Sequence, residues 1–176
     1  PAFLIRAFIM RAEISTFHSF ANSIIKSYPD EFPSLLSSES ITEIEQIEIL
    51  EKLIGAMDLK MLKPFGEPLY FLKDILQSIN DLKKEGIIPE RLKEAIKNQE
   101  EDFKNVSDLY HEKGKYEGEM KGKYLELQKN IEKTKEFLIV FTAYQKALRE
   151  EKKYDFNDML LEVIKVLEQN KSLLLR

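Results

Sequence analysis

Apolar residues recur at intervals of three and four along most of this chain, which is the spacing that places side chains on one face of an α-helix. The spacing begins at Phe17 and is interrupted at Pro29, because the residue before a proline is pushed out of the α region. Later segments of the chain show the same three-and-four spacing of apolar residues. We expect these later helices to be amphipathic and to share one core, formed by Ile44, Ile47, Leu50, Leu72, Ile75, Ile79, Phe137, Phe141 and Tyr144.

Several short motifs predict where these helices begin and end. Ser40-Ile41-Thr42-Glu43 is predicted to be a capping box, with Ser40 as the N-cap and Glu43 bonding back to it. Gly86 is predicted to end a helix, because a left-handed cap costs glycine little. Pro89 is predicted to lie in the first turn of the next helix, where its missing N–H is tolerated.

The last third of the chain contains a near-repeat and a well-marked helix start. Residues 113–124 read Lys-Gly-Lys-Tyr, Glu-Gly-Glu-Met, Lys-Gly-Lys-Tyr, and their glycines predict a weak helix or a mobile turn. Asp155 is predicted to be the N-cap of a final helix over about 156–168. Asp158 would then stand at its third position, near the positive end of the helix.

The N-terminal part predicts a strand followed by a helix. Residues 12–16 include β-branched side chains that permit a short strand, directly before the helix at Phe17. One such βα unit cannot form a parallel sheet alone, so it indicates a piece of something larger. The predicted fold is therefore mainly α: a helical bundle with a small α/β remnant at the termini. Residues 1–10 are apolar but interrupted by Arg6 and too short to span a membrane, so we expect a buried helix or strand there and no membrane contact.

Composition narrows the function classes. The chain has only 6 glycines and 6 prolines in 176 residues, which favours long helices over a sandwich or barrel. Its net charge of −4 means that overall basicity gives no argument for nucleic-acid binding. It has no cysteine and only His18 and His111, so thiolate zinc sites and multi-histidine metal sites are excluded. The absence of cysteine fits a reducing cytoplasm.

The residues by themselves predict no catalytic site. Both Gly-Lys pairs, at 114–115 and 122–123, are followed by tyrosine, and neither has a glycine five residues earlier, so no phosphate-binding loop is present. The carboxylates are scattered beside lysines on helix faces that we expect to be solvated, which does not favour a perturbed catalytic pair.

Residues 14–20 (Ile-Ser-Thr-Phe-His-Ser-Phe) admit two interpretations. In the functional one, a helix start and its hydroxyls bind phosphate while Phe17 or His18 stacks on a base. In the structural one, Phe17 lies in the core, Thr16 or Ser15 is an N-cap and His18 is an ordinary surface residue.

Three segments, in matching order and spacing, resemble the UvrD/Rep/PcrA group of superfamily-one DNA helicases. Residues 14–20 resemble the Thr-Phe-His-Ser element that follows a strand of the first motor domain. Residues 79–90 are similar to the lysine-rich helix end and Gly-x-x-Pro-Glu turn of the inserted helical subdomain 1B. Tyr144-Gln145 and residues 154–160 resemble the Tyr-Gln and Asp-Phe-x-Asp-Leu elements.

The resemblance implies a fragment of such a helicase. Residues 1–38 would be an N-terminal part of motor domain 1A, residues 39–150 the 1B-like subdomain, and residues 151–176 the return helix into 1A. The family's Walker A and Walker B elements lie outside these segments and neither is present in this sequence. We therefore expect the chain alone to be inactive. ATP and magnesium are implied as cofactors of the full-length helicase, not of this chain.

The resemblance also implies partners and contact residues. The full-length protein would hydrolyse ATP, move 3′ to 5′ on single-stranded DNA and unwind duplex, in the cytoplasm and with a role in DNA repair. Its partners would be single-stranded DNA, the duplex junction and the remaining helicase domains. The implied single-strand contacts are Thr16, Phe17, His18 and Ser19. The implied duplex phosphate contacts are Lys83, Lys84, Arg91, Lys93 and the 113–123 stretch. The implied structural motif is Tyr154, Asp155, Phe156 and Asp158, with the two aspartates bracing the motor core through helix capping.

One charge count leaves another class of function open. Residues 81–135 contain 13 basic and 13 acidic side chains, so no uniformly basic face is expected there. The alternative is a free-standing helical module that binds protein or serves as a scaffold and has no role with DNA.

Overall fold

The structure, a computed structural model, describes residues 15–175, and helices dominate that part of the chain. The helices are α1 (Phe17–Ser27), α2 (Pro33–Leu36), α3 (Glu43–Ala56), α4 (Leu72–Lys84), α5 (Pro89–Lys104), α6 (Gly122–Glu150), α7 (Phe156–Gln169) and α8 (Lys171–Leu174), with a 3-10 turn at Pro29–Glu31. Strand β1 (Glu39–Ser40) pairs with β2 (Lys153–Tyr154). The mainly α prediction is confirmed. The predicted strand over 12–16 lies outside the described residues except for Ser15 and Thr16, which form no strand.

The chain divides into two compact units. The central unit comprises residues 41–153 and therefore α3 to α6. The terminal unit comprises the described residues on either side of it, 15–40 and 154–175. The chain thus leaves the terminal unit once and returns to it once.

The core of the central unit is an apolar cluster contributed by α3, α4 and α6. Helix α6 packs against both α3 and α5, and α3 packs against α4. Of the predicted core residues, Leu50, Leu72, Ile75, Ile79, Phe141 and Tyr144 are buried, while Ile47 and Phe137 are partly buried against the cluster.

Ile44 was wrongly predicted to lie in this core, since its side chain is 70% exposed. The buried face of α3 carries Gln46, Ile49, Leu50 and Ile54. At 100° per residue, Ile44 points well away from the middle of that face.

The capping box of α3 exists, but two residues later than the sequence predicted. Thr42, not Ser40, is the N-cap: its side chain accepts from the backbone N–H of Glu45, and the Glu45 carboxylate accepts the Thr42 N–H at 2.8 Å. That second bond, followed by one from the Thr42 hydroxyl, lowers the pKa of Glu45. Ser40 lies instead in β1, where its backbone is extended.

A single carboxylate fixes the connection between α3 and α4. Glu136 of α6 accepts the backbone N–H groups of Lys60, Met61 and Leu62, at 2.7, 2.9 and 2.9 Å. Lys63 adds hydrogen bonds to the carbonyls of Gly55 and Met57 at the end of α3. Residues 60–63 of this connection are therefore held both by distant α6 and by the end of α3.

The turn between α4 and α5 follows its prediction. Helix α4 ends at Lys84, Gly86 adopts a left-handed φ of +68°, and its N–H donates to the carbonyl of Lys83. Pro89 is the first residue of α5. Both features are confirmed.

Residues 105–121 form a hydrogen-bonded loop between α5 and α6. Tyr110 and Met120 form an antiparallel bridge, and the N–H of His111 donates to the carbonyl of Glu119 at 2.9 Å. Gly114 and Gly118 take positive φ, so residues 113–121 form a turn, and the weak helix is wrong before Gly122, where α6 begins. The mobility of this turn stays a prediction.

The terminal unit has a smaller core of its own. Helices α1 and α7 pack together, and Phe32, Met159 and Val163 are buried among their neighbours. Tyr154 is partly buried against the same cluster.

Candidate nucleic-acid interface

The start of α1 is fixed by Thr16. The Thr16 hydroxyl accepts the Ser19 N–H at 3.2 Å and donates to the Ser19 hydroxyl at 3.0 Å. The Phe20 N–H donates to the Thr16 carbonyl at 2.9 Å. The expectation that Thr16 is an N-cap is confirmed, and the cap holds the backbone of residues 16–20 in one conformation.

Phe17 is displayed to solvent by this helix start. Its side chain is 83% exposed, so the expectation of a core residue is wrong. The buried side of α1 consists of Ala21 and Ile25, one and two turns further along, so the terminal-unit core does not extend back to Phe17. Phe20, one turn on from Phe17, is also half exposed.

His18 is exposed beside an aromatic ring from the other end of the chain. Its ring centroid lies 5.3 Å from that of Phe156, with the planes at 77°, an edge-to-face arrangement. Phe156 is 50% exposed. Sequence analysis assigned Phe156 to the structural motif and did not connect it to His18. No local signal links two residues so far apart in the chain.

The other motif residues are structural. Asp155 is buried and caps α7 by accepting the Asp158 N–H at 3.0 Å, while the Asp158 carboxylate accepts the Asp155 N–H at 3.3 Å. The predicted N-cap and third-position acid are therefore confirmed. Two capped helix starts, those of α1 and α7, present Phe17, His18 and Phe156 from fixed backbone positions.

Lys83 is buried, so the prediction that it contacts phosphate is wrong for this structure. The side chain is 2% exposed, and its ammonium lies 5.3 Å from the centre of the Tyr144 ring. Lys83 follows Ile79 by four residues and so continues the buried stripe of α4. That spacing was a readable signal that sequence analysis overlooked.

Of the remaining predicted phosphate contacts, Lys84, Arg91 and Lys93 are exposed. Lys84 lies 3.0 Å from the Asp81 carboxylate, whose pKa is lowered first by a hydrogen bond from Gln77 and then by one from Lys84. Arg91 and Lys93 are two residues apart on α5 and so project from different sides of the helix.

The positive charge of the 113–123 stretch is partly neutralised by acidic side chains in and just before it. Asp108 pairs with Lys121 at 3.0 Å and with Lys123 at 3.5 Å, and also accepts the Tyr124 hydroxyl. The Tyr124 hydrogen bond, followed by that of Lys121, lowers the pKa of Asp108 to about 2. Lys113 and Lys115 stand beside Glu112 and Glu117. Counted over residues 105–123, the four basic and four acidic side chains leave no net positive charge to attract a phosphate backbone.

Over residues 15–175 there is no group of three or more histidine, aspartate or glutamate side chains placed to hold a metal ion. In the same part of the chain, no helix has the length and apolar character needed to cross a membrane. Of the predicted sites, the start of α1 together with Phe156 is the one where exposed aromatic faces and hydroxyls meet.

Comparison with known proteins assigns the chain to a family. A family model described as the UvrD/REP helicase N-terminal domain matches residues 4–176. No curated protein and no solved structure matches the chain.

Proposed function

Because the chain belongs to the UvrD/REP helicase N-terminal domain family, we propose that it is part of an ATP-dependent helicase that moves 3′ to 5′ on single-stranded DNA. In this proposal Thr16, Phe17, His18 and Ser19 contact the single strand. A cytoplasmic location and a role in DNA repair are included in the proposal.

The observation that carries the single-strand role is the exposure of Phe17. A phenylalanine that is 83% exposed on a capped helix start contributes little to folding, although burying it would be favourable. Exposed aromatic rings are what single-stranded nucleic acid stacks on, since every base offers a flat face. The hydroxyls of Thr16 and Ser19 lie 3.0 Å apart at the same helix start, and hydroxyls are among the groups that bond to sugar or phosphate oxygens.

We further propose that the central unit is the 1B insertion and the terminal unit is part of motor domain 1A. The chain's single departure from the terminal unit at residue 40, and its return at 154, support this assignment because an insertion is connected in that way. The central unit would lie near the duplex junction. Arg91 and Lys93 remain its candidate phosphate contacts, being exposed residues of α5.

ATP and magnesium have no fitting site in the described residues. Phosphoryl transfer needs a backbone phosphate cradle, a lysine and metal-binding oxygens. The sequence contains no Gly-x-x-x-x-Gly-Lys-Ser/Thr loop, and residues 15–175 contain no metal-binding group. We therefore assign no catalytic residue to this chain and expect no ATP hydrolysis by it alone. Phosphate release that co-purifies with the chain through successive columns would contradict this expectation.

The single-strand role is tested by binding of fluorescein-labelled oligothymidylate to the 176-residue chain, measured by anisotropy over a range of salt concentrations. We expect weak binding that falls steeply with salt, because few contacts remain besides phosphate attraction. Phe17→Ala should weaken it by about 1–3 kcal/mol, the cost of one stacking contact.

The matched control is Phe65→Ala, since Phe65 is a fully exposed phenylalanine of the central unit. It should leave affinity unchanged. If Phe17→Ala and His18→Ala both bind as tightly as the unaltered chain while their melting curves are normal, the single-strand role is wrong. The helical protein-binding or scaffold function, which the balanced charge of residues 81–135 favours, would then replace it.

A further inference from the structure

Phe156 differs from the residues around it in the Tyr-Asp-Phe-Asn-Asp segment. Asp155 is buried, and Tyr154 and Asp158 are half-buried, whereas half of the Phe156 side chain faces solvent. The capping box of α7 fixes its backbone. Core packing therefore accounts for its neighbours and leaves the exposed half of the Phe156 ring without a structural reason.

The Phe156 ring lies against the ring of His18. The two rings meet edge to face, with centroids 5.3 Å apart, which is a favoured geometry for aromatic pairs. An exposed histidine at the second position of a helix otherwise samples several rotamers. The Phe156 ring beside it restricts that freedom, and a group already held in its bound orientation loses less entropy on binding.

We propose that Phe156 is a positioning residue for single-stranded DNA: it holds the His18 ring in the orientation in which His18 contacts a base. This inference rests on the proposed function of residues 16–19. It adds a residue from the far end of the chain, in the same terminal unit, and gives the aspartate-capped start of α7 a role besides bracing the core.

The test measures oligothymidylate binding by the 176-residue chain with His18→Ala, Phe156→Ala, Phe156→Leu and Phe156→Tyr, and with Phe156→Ala combined with His18→Ala. Phe156→Ala should raise Kd about three- to tenfold, the range expected when one side chain is immobilised only on binding and not beforehand. Phe156→Leu should raise Kd by the same factor, because leucine keeps the apolar bulk but lacks the ring that contacts His18. Phe156→Tyr should bind normally. The double variant should bind no more weakly than His18→Ala alone, since Phe156 acts through His18.

The matched control is Ile164→Ala. Ile164 lies on the same helix and is similarly exposed, at 52%, so its loss should leave Kd unchanged. A second readout follows the His18 ring directly by proton–carbon NMR. The ring current of Phe156 should displace the His18 ring protons in the unaltered chain and in Phe156→Tyr, and this displacement should vanish in Phe156→Ala and Phe156→Leu.

The outcomes separate this inference from the function on which it rests. If His18→Ala weakens binding but Phe156→Ala does not, the inference is overturned and the single-strand role stands. Normal binding by Phe156→Leu, or additive losses in the double variant, would also overturn it. If neither Phe17→Ala nor His18→Ala changes affinity, or the unaltered chain binds no oligothymidylate at low salt, the proposed function fails and this inference fails with it.

Discussion

Replacement of Glu136 should lower the stability of the central unit. Its carboxylate accepts three backbone N–H groups from the connection between α3 and α4. Hydrogen bonds to a charged acceptor contribute about 1.5–3 kcal/mol each when they are shielded from water. The site is only partly buried, so water can replace part of each bond. We expect Glu136→Ala to lower the free energy of unfolding by about 2–4 kcal/mol.

The arrangement of the three bonds also predicts the effect of the isosteric change. One carboxylate oxygen accepts from Lys60 and the other accepts from both Met61 and Leu62. The single oxygen of glutamine can keep the pair from Met61 and Leu62, but its amide then faces the Lys60 N–H. Glu136→Gln should therefore cost less than the alanine change, about 1–2 kcal/mol.

Urea unfolding followed by far-UV circular dichroism measures both changes, and amide hydrogen exchange at residues 60–62 locates them. The matched control is Glu132→Ala, one turn earlier on α6. Glu132 makes an exposed ion pair with Lys135 at 2.9 Å, which should be worth less than about 1 kcal/mol. Equal stabilities for Glu136→Ala and Glu132→Ala, or unchanged exchange at residues 60–62, would refute the reasoning.

Three further predictions test local features. Thr42→Ala should lower the free energy of unfolding by about 1 kcal/mol and Ser40→Ala by clearly less, in the same urea assay, because Thr42 is the N-cap; equal effects would contradict the observed cap. Gly86→Ala should lower the free energy of unfolding by about 1 kcal/mol, because φ is +68° at this position, although an added Cβ would meet no atom within 4 Å. An unchanged denaturation midpoint would show that the left-handed cap is dispensable. The pKa of Asp108 is lowered to about 2, below the 3.8 of the free side chain, so its support of the 105–121 loop should be complete above pH 4 and lost as the pH falls towards 2. The protection factors of the amides in that loop, which correct the exchange rates for the pH dependence of unprotected amides, should fall over this range in the unaltered chain and stay constant in Asp108→Asn. A fall that survives in Asp108→Asn would assign the titration to another group.

Much of the helical architecture was predictable from local chemistry. Gly86, Pro89 and the Asp155–Asp158 pair mark helix boundaries where they were predicted, because turn and cap energies depend on a few adjacent residues. The apolar spacing identified most of the central core for the same reason, since a helix brings residues three and four apart onto one face.

At other positions the sequence offered two alternatives, either two N-cap residues or two apolar helix faces, and distant contacts selected one of them. Ser40 and Thr42 both offer a hydroxyl before the same helix, and Ser40 is drawn instead into β1 by pairing with β2, more than a hundred residues later. Ile44 fits an apolar stripe, but the face of α3 that packs against α4 and α6 is centred elsewhere. Sequence spacing cannot choose between two such faces when both carry apolar residues.

Lys83 and Phe156 show the division most clearly. The sequence by itself determined that Asp155 caps α7 and that residues 14–20 and 154–160 resemble helicase elements, whereas for Lys83 it led to the prediction of a phosphate contact. Only the tertiary structure decided that Lys83 is enclosed beside Tyr144 and that Phe156 meets His18 while Phe17 faces solvent. The physical reason is that capping and helical periodicity act over a few residues, whereas burial and ring contacts depend on which distant surfaces the folded chain brings together.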